Sequence, residues 1–215
     1  MSTFHVNSIP VKYGMVLSLI VIEIINMEEN ILYIKNVVCQ RCKRSVREIL
    51  EELKITYQEV SLGQAVLVQP LTVAEMSAIQ KEFLRVGFEI LFDKNEQLVN
   101  KIKSIITARI YKEDDYGSGK LSKVLSECLY YDYSHLTRVF TAIEGKTIQE
   151  FQNQVKIQRI KELLEYNEMN ISEVASETGY SSATYLSTQF KKATGMSPSD
   201  YRLQKAQREV DLNML

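Results

Sequence analysis

Cys39 and Cys42 are the residues of this sequence whose type and spacing most directly suggest chemistry. The segment Cys39-Gln40-Arg41-Cys42 lies between a short apolar run at 31–35 and a helical pattern at 41–54. Thiols at the start of a helix have lowered pKa values and bind soft metals well. Three interpretations remain open: a ligand pair for copper(I) or zinc, a redox-active dithiol, or a pair without chemistry. Because two thiolates leave zinc short of four ligands, a metal site requires copper(I), a third ligand or sharing within a dimer.

A second group of candidate residues lies on an internal repeat. Residues 121–151 and 171–201 align at a constant offset of 50, without a gap, and eight of the 31 positions are identical. The identical pairs are Ser122/Ser172, Val124/Val174, Ser126/Ser176, Glu127/Glu177, Tyr130/Tyr180, Leu136/Leu186, Phe140/Phe190 and Gly145/Gly195. A spaced repeat indicates one supersecondary unit used twice, and the pattern here is typical of a helix-turn-helix. This unit points to DNA.

The elements that must position the two cysteines occupy residues 27–93. Four apolar, β-branched or aromatic runs at 31–35, 55–61, 65–69 and 88–92 alternate with helical patterns at 41–54 and 73–86. Thr72, with Glu75 three residues later, predicts the start of the second helix, and Gly87 predicts its end. The order βαββαβ predicts an α+β domain of the ferredoxin-like, or split βαβ, type.

With the two cysteines before the first helix and Gly87-Phe88 before the last strand, residues 27–93 resemble the heavy-metal-associated domain family. Members of that family are small ferredoxin-like carriers of copper(I) or zinc. The resemblance implies that Cys39 and Cys42 are metal ligands. Val37 departs from the family pattern, which commonly has Met two residues before the first Cys.

The repeat lies within residues 94–207, where the apolar periodicity predicts an all-α domain. Helices are expected at 96–111, 121–128, 134–143, 147–166, 171–178 and 182–194, with a polar loop at 112–120 and a last helix from Pro198. The 20 residues of 147–166 span about 30 Å, close to the roughly 34 Å of one DNA turn. Two recognition helices can therefore enter successive major grooves. Residues 208–215 are a tail.

Three features of residues 171–202 resemble the AraC/XylS family of bacterial transcription regulators. They are the turn Gly179-Tyr180-Ser181, the aromatic-Leu-Ser-x-x-Phe-Lys-Lys run from Tyr185, and the ending Gly-Met-Ser-Pro-Ser-Asp-Tyr-Arg from Gly195. The resemblance implies seven helices with two helix-turn-helix units, and it implies that these units bind double-stranded promoter DNA. It places DNA contacts at Ser134, His135, Thr137, Arg138, Ser182, Ala183, Thr184, Ser187 and Thr188, and we expect phosphate contacts at Lys146, Lys156, Lys191 and Lys192. Thr188 stands where the family often has Arg. His135 and the pair Lys191–Lys192 also fit a surface role without DNA contact.

Composition limits these interpretations. Residues 112–215 carry 13 Lys and Arg against 15 Asp and Glu. Because phosphate neutralisation drives much of DNA affinity, we expect weak non-specific binding and cations gathered on one face. Three cysteines, an odd and sparse set, indicate a reducing cytoplasm. The resemblance to AraC/XylS regulators implies that this is the bacterial cytoplasm, with the protein at the nucleoid. No Ser/His/Asp set, phosphate loop or paired acid motif is visible in the sequence, which argues against an enzyme.

Several local expectations complete the analysis. Residues 1–26 are expected to be a mis-assigned upstream start, with Met27 as the true start; a membrane-touching segment or an ordered extension are the alternatives. The apolar run at 15–25 is too short to span a bilayer. Cys128 is expected in the core of its helix, and Tyr130, Tyr131 and Tyr133 in packing contacts.

The sequence therefore predicts a transcription regulator whose C-terminal domain binds a promoter and whose N-terminal domain senses a signal or forms a homodimer. The signal is a metal ion or another small-molecule effector. The alternative is a copper or zinc chaperone or buffering protein whose helical domain contacts other proteins.

Overall fold

The computed structural model describes residues 30–112, 119–166 and 168–213. The expected extension at 1–26, most of the expected loop at 112–120 and the end of the expected tail lie outside these residues. The chain divides into two compact units, with the boundary between Lys101 and Ile102. Each unit has its own buried apolar residues, as follows.

The first unit is a four-stranded sheet with two helices. Its elements are β1 (Ile31–Lys35), α1 (Gln40–Glu52), β2 (Tyr57–Ser61), β3 (Gln64–Leu67), α2 (Val73–Arg85) and β4 (Glu89–Ile90). The strand order is β2-β3-β1-β4, and every neighbouring pair is antiparallel. Each helix therefore connects two strands that are separated in the sheet by a third strand. The order of elements agrees with the sequence prediction.

Local chemistry explains the bounds of the second helix of this unit. The Thr72 Oγ1 accepts from the backbone N–H of Glu75 at 3.3 Å, and the Glu75 carboxylate accepts from the backbone N–H of Thr72 at 2.8 Å. This reciprocal pair satisfies two N–H groups that a helix start leaves open. Gly87, with φ of 85°, follows the helix. Both predicted signals are confirmed, whereas the strand expected at 88–92 is reduced to Glu89–Ile90, which pair with Lys35 and Ile34.

A single apolar core lies between the sheet and the two helices of the first unit. β1 contributes Leu32 and Ile34, α1 contributes Val46 and Leu50, and the other elements supply the rest. Cys42 is half-buried and packs against this core. The thiol pair therefore lies at the start of a helix that packs on this core.

The second unit is helical. Seven helices follow the sheet in the described part of the chain: α3 (Lys94–Tyr111), which crosses the boundary between the units, α4 (Leu121–Leu129), α5 (Tyr133–Glu144), α6 (Ile148–Tyr166), α7 (Ile171–Glu177), α8 (Ala183–Thr194) and α9 (Pro198–Asn213). Each predicted helix is present, with ends shifted by two residues at most. Among the described residues, no helix combines the length and apolarity that crossing a membrane requires.

The sequence repeat is also a structural repeat. Leu136 and Phe140 on α5 are fully buried, as are Leu186 and Phe190 on α8. The ring of Phe140 lies 5.7 Å from that of Phe151, and the ring of Phe190 lies 5.5 Å from that of Tyr201. Gly145 and Gly195 end the two helices with φ of 66° and 85°. Each identical apolar pair thus serves the same packing purpose twice.

Two expectations about α4 and the turn after it are wrong. Cys128 is exposed: the residues of α4 that enter the core are Val124 and Leu125, and Cys128 lies in the last turn of the helix, beyond that core. Tyr130 is 92% exposed, so its ring is not a packing residue, and Tyr131 is 50% exposed, with its ring outside the core. Tyr133 is half-buried, as a packing role requires.

Candidate nucleic-acid interface

Helix α5 presents the predicted contact residues of the first helix-turn-helix in its first two turns. Its inward side is fixed by the buried Leu136 and Phe140. Ser134 and Arg138 are consequently exposed, whereas His135 and Thr137 are half-buried. The Thr137 hydroxyl donates to the carbonyl oxygen of Tyr133 at 2.9 Å. Of these side chains, Arg138 extends farthest and carries the only full positive charge.

The side chains of Tyr131, His135 and Arg138 form one connected group. The rings of Tyr131 and His135 stack with centroids 5.0 Å apart and an interplanar angle of 21°. The Arg138 Nη2 lies 3.1 Å from the His135 Nδ1. The sequence predicted His135 and Arg138 as contact residues but missed Tyr131, because its exposure follows from the turn geometry and has no signal in the local pattern.

Helix α8 presents the predicted contact residues of the second helix-turn-helix. Ser182 caps the helix, and its Oγ accepts from the backbone N–H of Tyr185 at 3.1 Å. Thr184 and Thr188 are exposed, and Ala183 and Ser187 are half-buried. The Thr188 hydroxyl donates to the carbonyl oxygen of Thr184 at 3.0 Å. This surface offers hydroxyl and methyl groups without charge over its first two turns.

Tyr185 is a further surface residue that the sequence analysis did not select. Its side chain is 51% exposed on the first turn of α8, and its ring lies 5.8 Å from that of Tyr180. It occupies the position that His135, 50 residues earlier, has in the first helix-turn-helix. The repeat alignment would have identified it, since the equivalent residue was already a candidate.

The four lysines expected at phosphates lie in different environments. Lys191 and Lys192 are exposed in the last turn of α8. Lys146 is half-buried: its Nζ donates to the Gln154 amide oxygen at 3.0 Å and lies 5.4 Å from the centre of the Phe151 ring. Two of the four ammonium groups are thus directed outward, and the other two have partners within the domain.

Lys156 is the second inward-directed lysine. Its Nζ lies 3.5 Å from the carbonyl oxygen of Gly179 and 5.0 Å from the centre of the Tyr180 ring. Burial lowers the pKa of Lys156, and the positive charge of Arg109 lowers it further. In the free protein this cation stabilises the turn between α7 and α8, where Gly179 adopts φ of 69°.

In the first unit, Cys39 and Cys42 lie together at the start of α1. Cys39 is the N-cap, its Sγ accepts from the backbone N–H of Cys42 at 3.5 Å, and the two sulfurs are 3.2 Å apart. Burial raises the pKa of the Cys39 thiol, but hydrogen bonds from Cys42 and Arg41 and the Arg41 charge outweigh burial and lower the pKa overall. Burial raises the pKa of Cys42, and the neighbouring Cys39 raises it further.

The donor set of this pair favours one of the two predicted metals. Within residues 30–112, 119–166 and 168–213, no group of three or more His, Cys, Asp and Glu side chains has the geometry to hold a metal ion. Two soft thiolates suit copper(I), whereas structural zinc requires four ligands. The pair by itself therefore fits copper(I) and falls short of zinc.

Comparison with known families identifies the helical unit. Residues 125–204 match the family model described as "Helix-turn-helix domain". These residues are therefore similar to helix-turn-helix domains. The match includes both recognition helices and the connecting helix α6, in agreement with the resemblance to AraC/XylS regulators. It does not extend to the sheet of the first unit.

Two relatives that the chain matches are named as regulatory proteins. The Msm operon regulatory protein of Streptococcus mutans is 28% identical over 127 residues, covering 59% of this chain and 44% of that protein. The uncharacterized HTH-type transcriptional regulator YdeC of Bacillus subtilis is 27% identical over 168 residues, covering 73% and 53%. The chain thus spans about half the length of these curated relatives.

Among solved structures, the C-terminal domain of AraT, a response regulator from Geobacillus stearothermophilus, is similar to the chain. It shares 26% sequence identity with a TM-score of 0.45, and the match covers 52% of this chain and 88% of that domain.

Proposed function

We propose that the protein is a sequence-specific DNA-binding transcriptional regulator of the AraC type, acting on promoters at the nucleoid in the bacterial cytoplasm. The observation that carries this proposal is the repeated helix-turn-helix, in which two 12-residue helices, α5 and α8, each expose polar side chains on their first two turns. An α-helix with such a surface fits the major groove and can reach base edges there.

The exposed side chains can form hydrogen bonds and ion pairs that complement DNA. Arg138 can donate two hydrogen bonds to O6 and N7 of guanine, and the hydroxyls of Ser134, Thr184 and Thr188 can contact bases or phosphates. Lys191 and Lys192 are the outward-directed cations that phosphates would meet. The remaining predicted contacts are His135, Thr137, Ser182, Ala183 and Ser187, with Lys146 and Lys156 on the flanks of the two units.

The small number of exposed cations has a measurable consequence. Binding to double-stranded DNA becomes weaker with salt in proportion to the number of neutralised phosphates, with a slope of about −0.9 for each phosphate. Three exposed cations on the two recognition helices, Arg138, Lys191 and Lys192, support a shallow dependence on salt. Base contacts would then contribute more of the affinity than non-specific attraction to phosphates does.

The N-terminal domain is the proposed signal receiver. Its strand order β2-β3-β1-β4 and its two connecting helices support the assignment of a ferredoxin-like domain of the heavy-metal-associated type. Cys39 and Cys42 would hold copper(I), since both are soft thiolate ligands, and ligation would constrain the start of α1. A small-molecule effector and a homodimer are compatible with the same domain and are part of the proposal.

DNA binding can be tested without knowledge of the promoter. The full chain is incubated with a pool of double-stranded DNA that carries 30 randomised base pairs, and bound DNA is sequenced after several rounds of selection. We expect an enriched sequence and binding that a scrambled duplex of the same composition does not match. Absence of any enriched sequence, in protein whose helical content is intact by circular dichroism, would overturn the proposal.

The metal assignment needs a separate experiment. Reduced full-length protein is titrated anaerobically with copper(I) and with zinc, beside the Cys39→Ser/Cys42→Ser double variant and a Cys128→Ser control that removes the exposed thiol. We expect one copper(I) per chain, lost in the double variant and retained in the control. Equal copper(I) binding by the double variant would contradict the assignment. Metal binding combined with failure of the DNA selection would favour the chaperone alternative.

A further inference from the structure

The Arg138–His135 contact has a defined hydrogen-bond direction. A guanidinium group only donates hydrogen bonds, so in this contact the Nδ1 of His135 is the acceptor. An exposed arginine otherwise has many rotamers, and ordering it opposes binding through lost conformational entropy. Because the contact restricts the side chain before DNA arrives, His135 supplies part of the order that a guanine contact requires.

His135 is itself fixed by a residue outside α5. Tyr131 precedes the helix, and its half-exposed ring stacks on the imidazole at a centroid distance of 5.0 Å. The stacking holds the ring plane, and with it the direction of the Nδ1 lone pair. A chain of three side chains therefore runs from the turn, through His135, to the guanidinium of Arg138.

The second helix-turn-helix lacks this chain of three side chains. At the offset of 50 residues, Ser181, Tyr185 and Thr188 replace Tyr131, His135 and Arg138. The Tyr185 ring is directed to Tyr180, and the Thr188 hydroxyl is bonded to the carbonyl oxygen of Thr184. The charged groups of α8 lie instead at its C-terminal end, where Lys191 and Lys192 are exposed.

We propose that His135, held by Tyr131, is a positioning residue that directs Arg138 toward a guanine, and that base discrimination lies mainly in the first helix-turn-helix. This inference rests on the proposed DNA-binding function and adds to it. The second helix-turn-helix then holds the DNA mainly through contacts to the sugar-phosphate backbone of the DNA, with Lys191 and Lys192 at phosphates. One half of the target site contains the discriminated guanine, and the other half, about 10 base pairs away, has weaker base preferences.

The test uses the selected DNA and four variants of the full chain. Arg138→Ala removes the guanidinium. His135→Leu removes the acceptor but keeps an apolar side chain against Tyr131, whereas His135→Asn retains an oxygen acceptor near the position of Nδ1. Arg44→Ala, an exposed arginine on α1 outside the helix-turn-helix domain, controls for the loss of one positive charge. The measured quantity is the ratio of affinities for the selected duplex and for duplexes with one guanine replaced.

We expect wild type to prefer one guanine by roughly tenfold to a hundredfold, and Arg138→Ala to lose that preference. His135→Leu should lose a large part of it, His135→Asn should restore most of it, and Arg44→Ala should retain all of it. A general loss of affinity in His135→Leu, with the guanine ratio unchanged, would show a merely structural role and overturn the inference.

Two further outcomes separate this inference from the proposed function. A selected site with two halves of equal information, or a guanine preference that survives in Arg138→Ala, overturns the inference while the DNA-binding function stands. Failure of wild-type protein to select any sequence overturns both.

Discussion

The hydroxyl of Tyr201 donates a hydrogen bond to the Glu165 carboxylate, with an oxygen-to-oxygen distance of 2.7 Å. Tyr201 stands 50 residues after Phe151, and both rings pack edge-on or tilted against the phenylalanine of their own unit. The additional hydroxyl links α9 to the end of α6, and the Lys205 Nζ reaches the same carboxylate oxygen at 2.7 Å. The second helix-turn-helix therefore has a polar connection to α6 that Phe151, which has no hydroxyl, cannot provide in the first helix-turn-helix.

This connection predicts a pH-dependent part of the stability. The Lys205 ammonium and the Tyr201 hydroxyl lower the pKa of Glu165 in the folded protein. A glutamate with a depressed folded pKa stabilises the protein above its unfolded pKa of about 4.3, and that contribution is lost as pH falls through the folded pKa. Because Glu165 is well exposed to solvent, we expect at most about 1 kcal/mol. Urea denaturation should show that Glu165→Gln is less stable than wild type at pH 7 and equal to it in strong acid.

Glu168→Gln is a matched control, because Glu168 is an exposed carboxylate in the connection between α6 and α7. It should leave the free energy of unfolding close to that of wild type at both pH values. A deficit of Glu165→Gln that persists unchanged in strong acid would contradict the ionic origin of the effect.

Gly145 and Gly195 predict a backbone effect that is free of packing effects. Each lies in the left-handed region, and a Cβ added at either position meets nothing within 4 Å. Gly145→Ala and Gly195→Ala should each lower the free energy of unfolding by about 1–2 kcal/mol, because an L-residue is strained in that region. Asparagine, which tolerates the left-handed region better, should be less costly at both sites. Equal stability of the alanine variants and wild type, measured by urea denaturation, would refute this account.

Tyr130 predicts the opposite change. It ends α4 in the left-handed conformation, with φ of 57°, while its side chain is 92% exposed. Tyr130→Gly relieves the strain and removes almost no buried surface, so we expect a gain of up to about 1 kcal/mol after the entropy of the unfolded glycine is included. Tyr130→Ala provides the control, since alanine keeps the Cβ and should not be more stable than wild type. The midpoint of urea unfolding checks both variants.

The two thiols should differ in reactivity. Because the pKa of Cys39 is lowered and that of Cys42 is raised, a larger fraction of Cys39 is thiolate near neutral pH. In a Cys128→Ser background, limiting iodoacetamide at pH 7 should modify Cys39 before Cys42, as measured by peptide mass spectrometry. Rates that are equal, or faster at Cys42, would show that the hydrogen bonds to Cys39 do not control its ionisation.

Much of the architecture could be predicted from the sequence because its signals are local or repeated. Apolar periodicity gave each helix of the second unit, and Thr72 with Glu75 gave the start of α2. The repeat at an offset of 50 predicted that Leu136 and Leu186, or Phe140 and Phe190, occupy equivalent buried positions. These features depend on short stretches of chain, where residue type and spacing determine the outcome.

The direction of individual side chains could not be predicted in the same way. Lys156 has the residue type of a phosphate contact, yet its ammonium is directed to the Gly179 carbonyl because the turn after α7 presents an acceptor there. Tyr131 has the type of a packing residue, yet the turn before α5 leaves it exposed against His135. Both outcomes depend on how one element meets another, and local periodicity does not contain that information.

Helix α6 joins the two helix-turn-helix units through 19 uninterrupted residues, and this continuity has a consequence for insertions. One added residue would rotate everything that follows by about 100° and advance it by about 1.5 Å. In the proposed DNA complex, α8 would then face another side of the duplex from α5. Seven added residues, close to two full turns, would preserve the facing and lengthen the separation by about 10 Å, the rise of roughly three base pairs. In the proposed complex, the length of α6 would therefore set the spacing between half-sites, independently of the bases that each helix-turn-helix contacts.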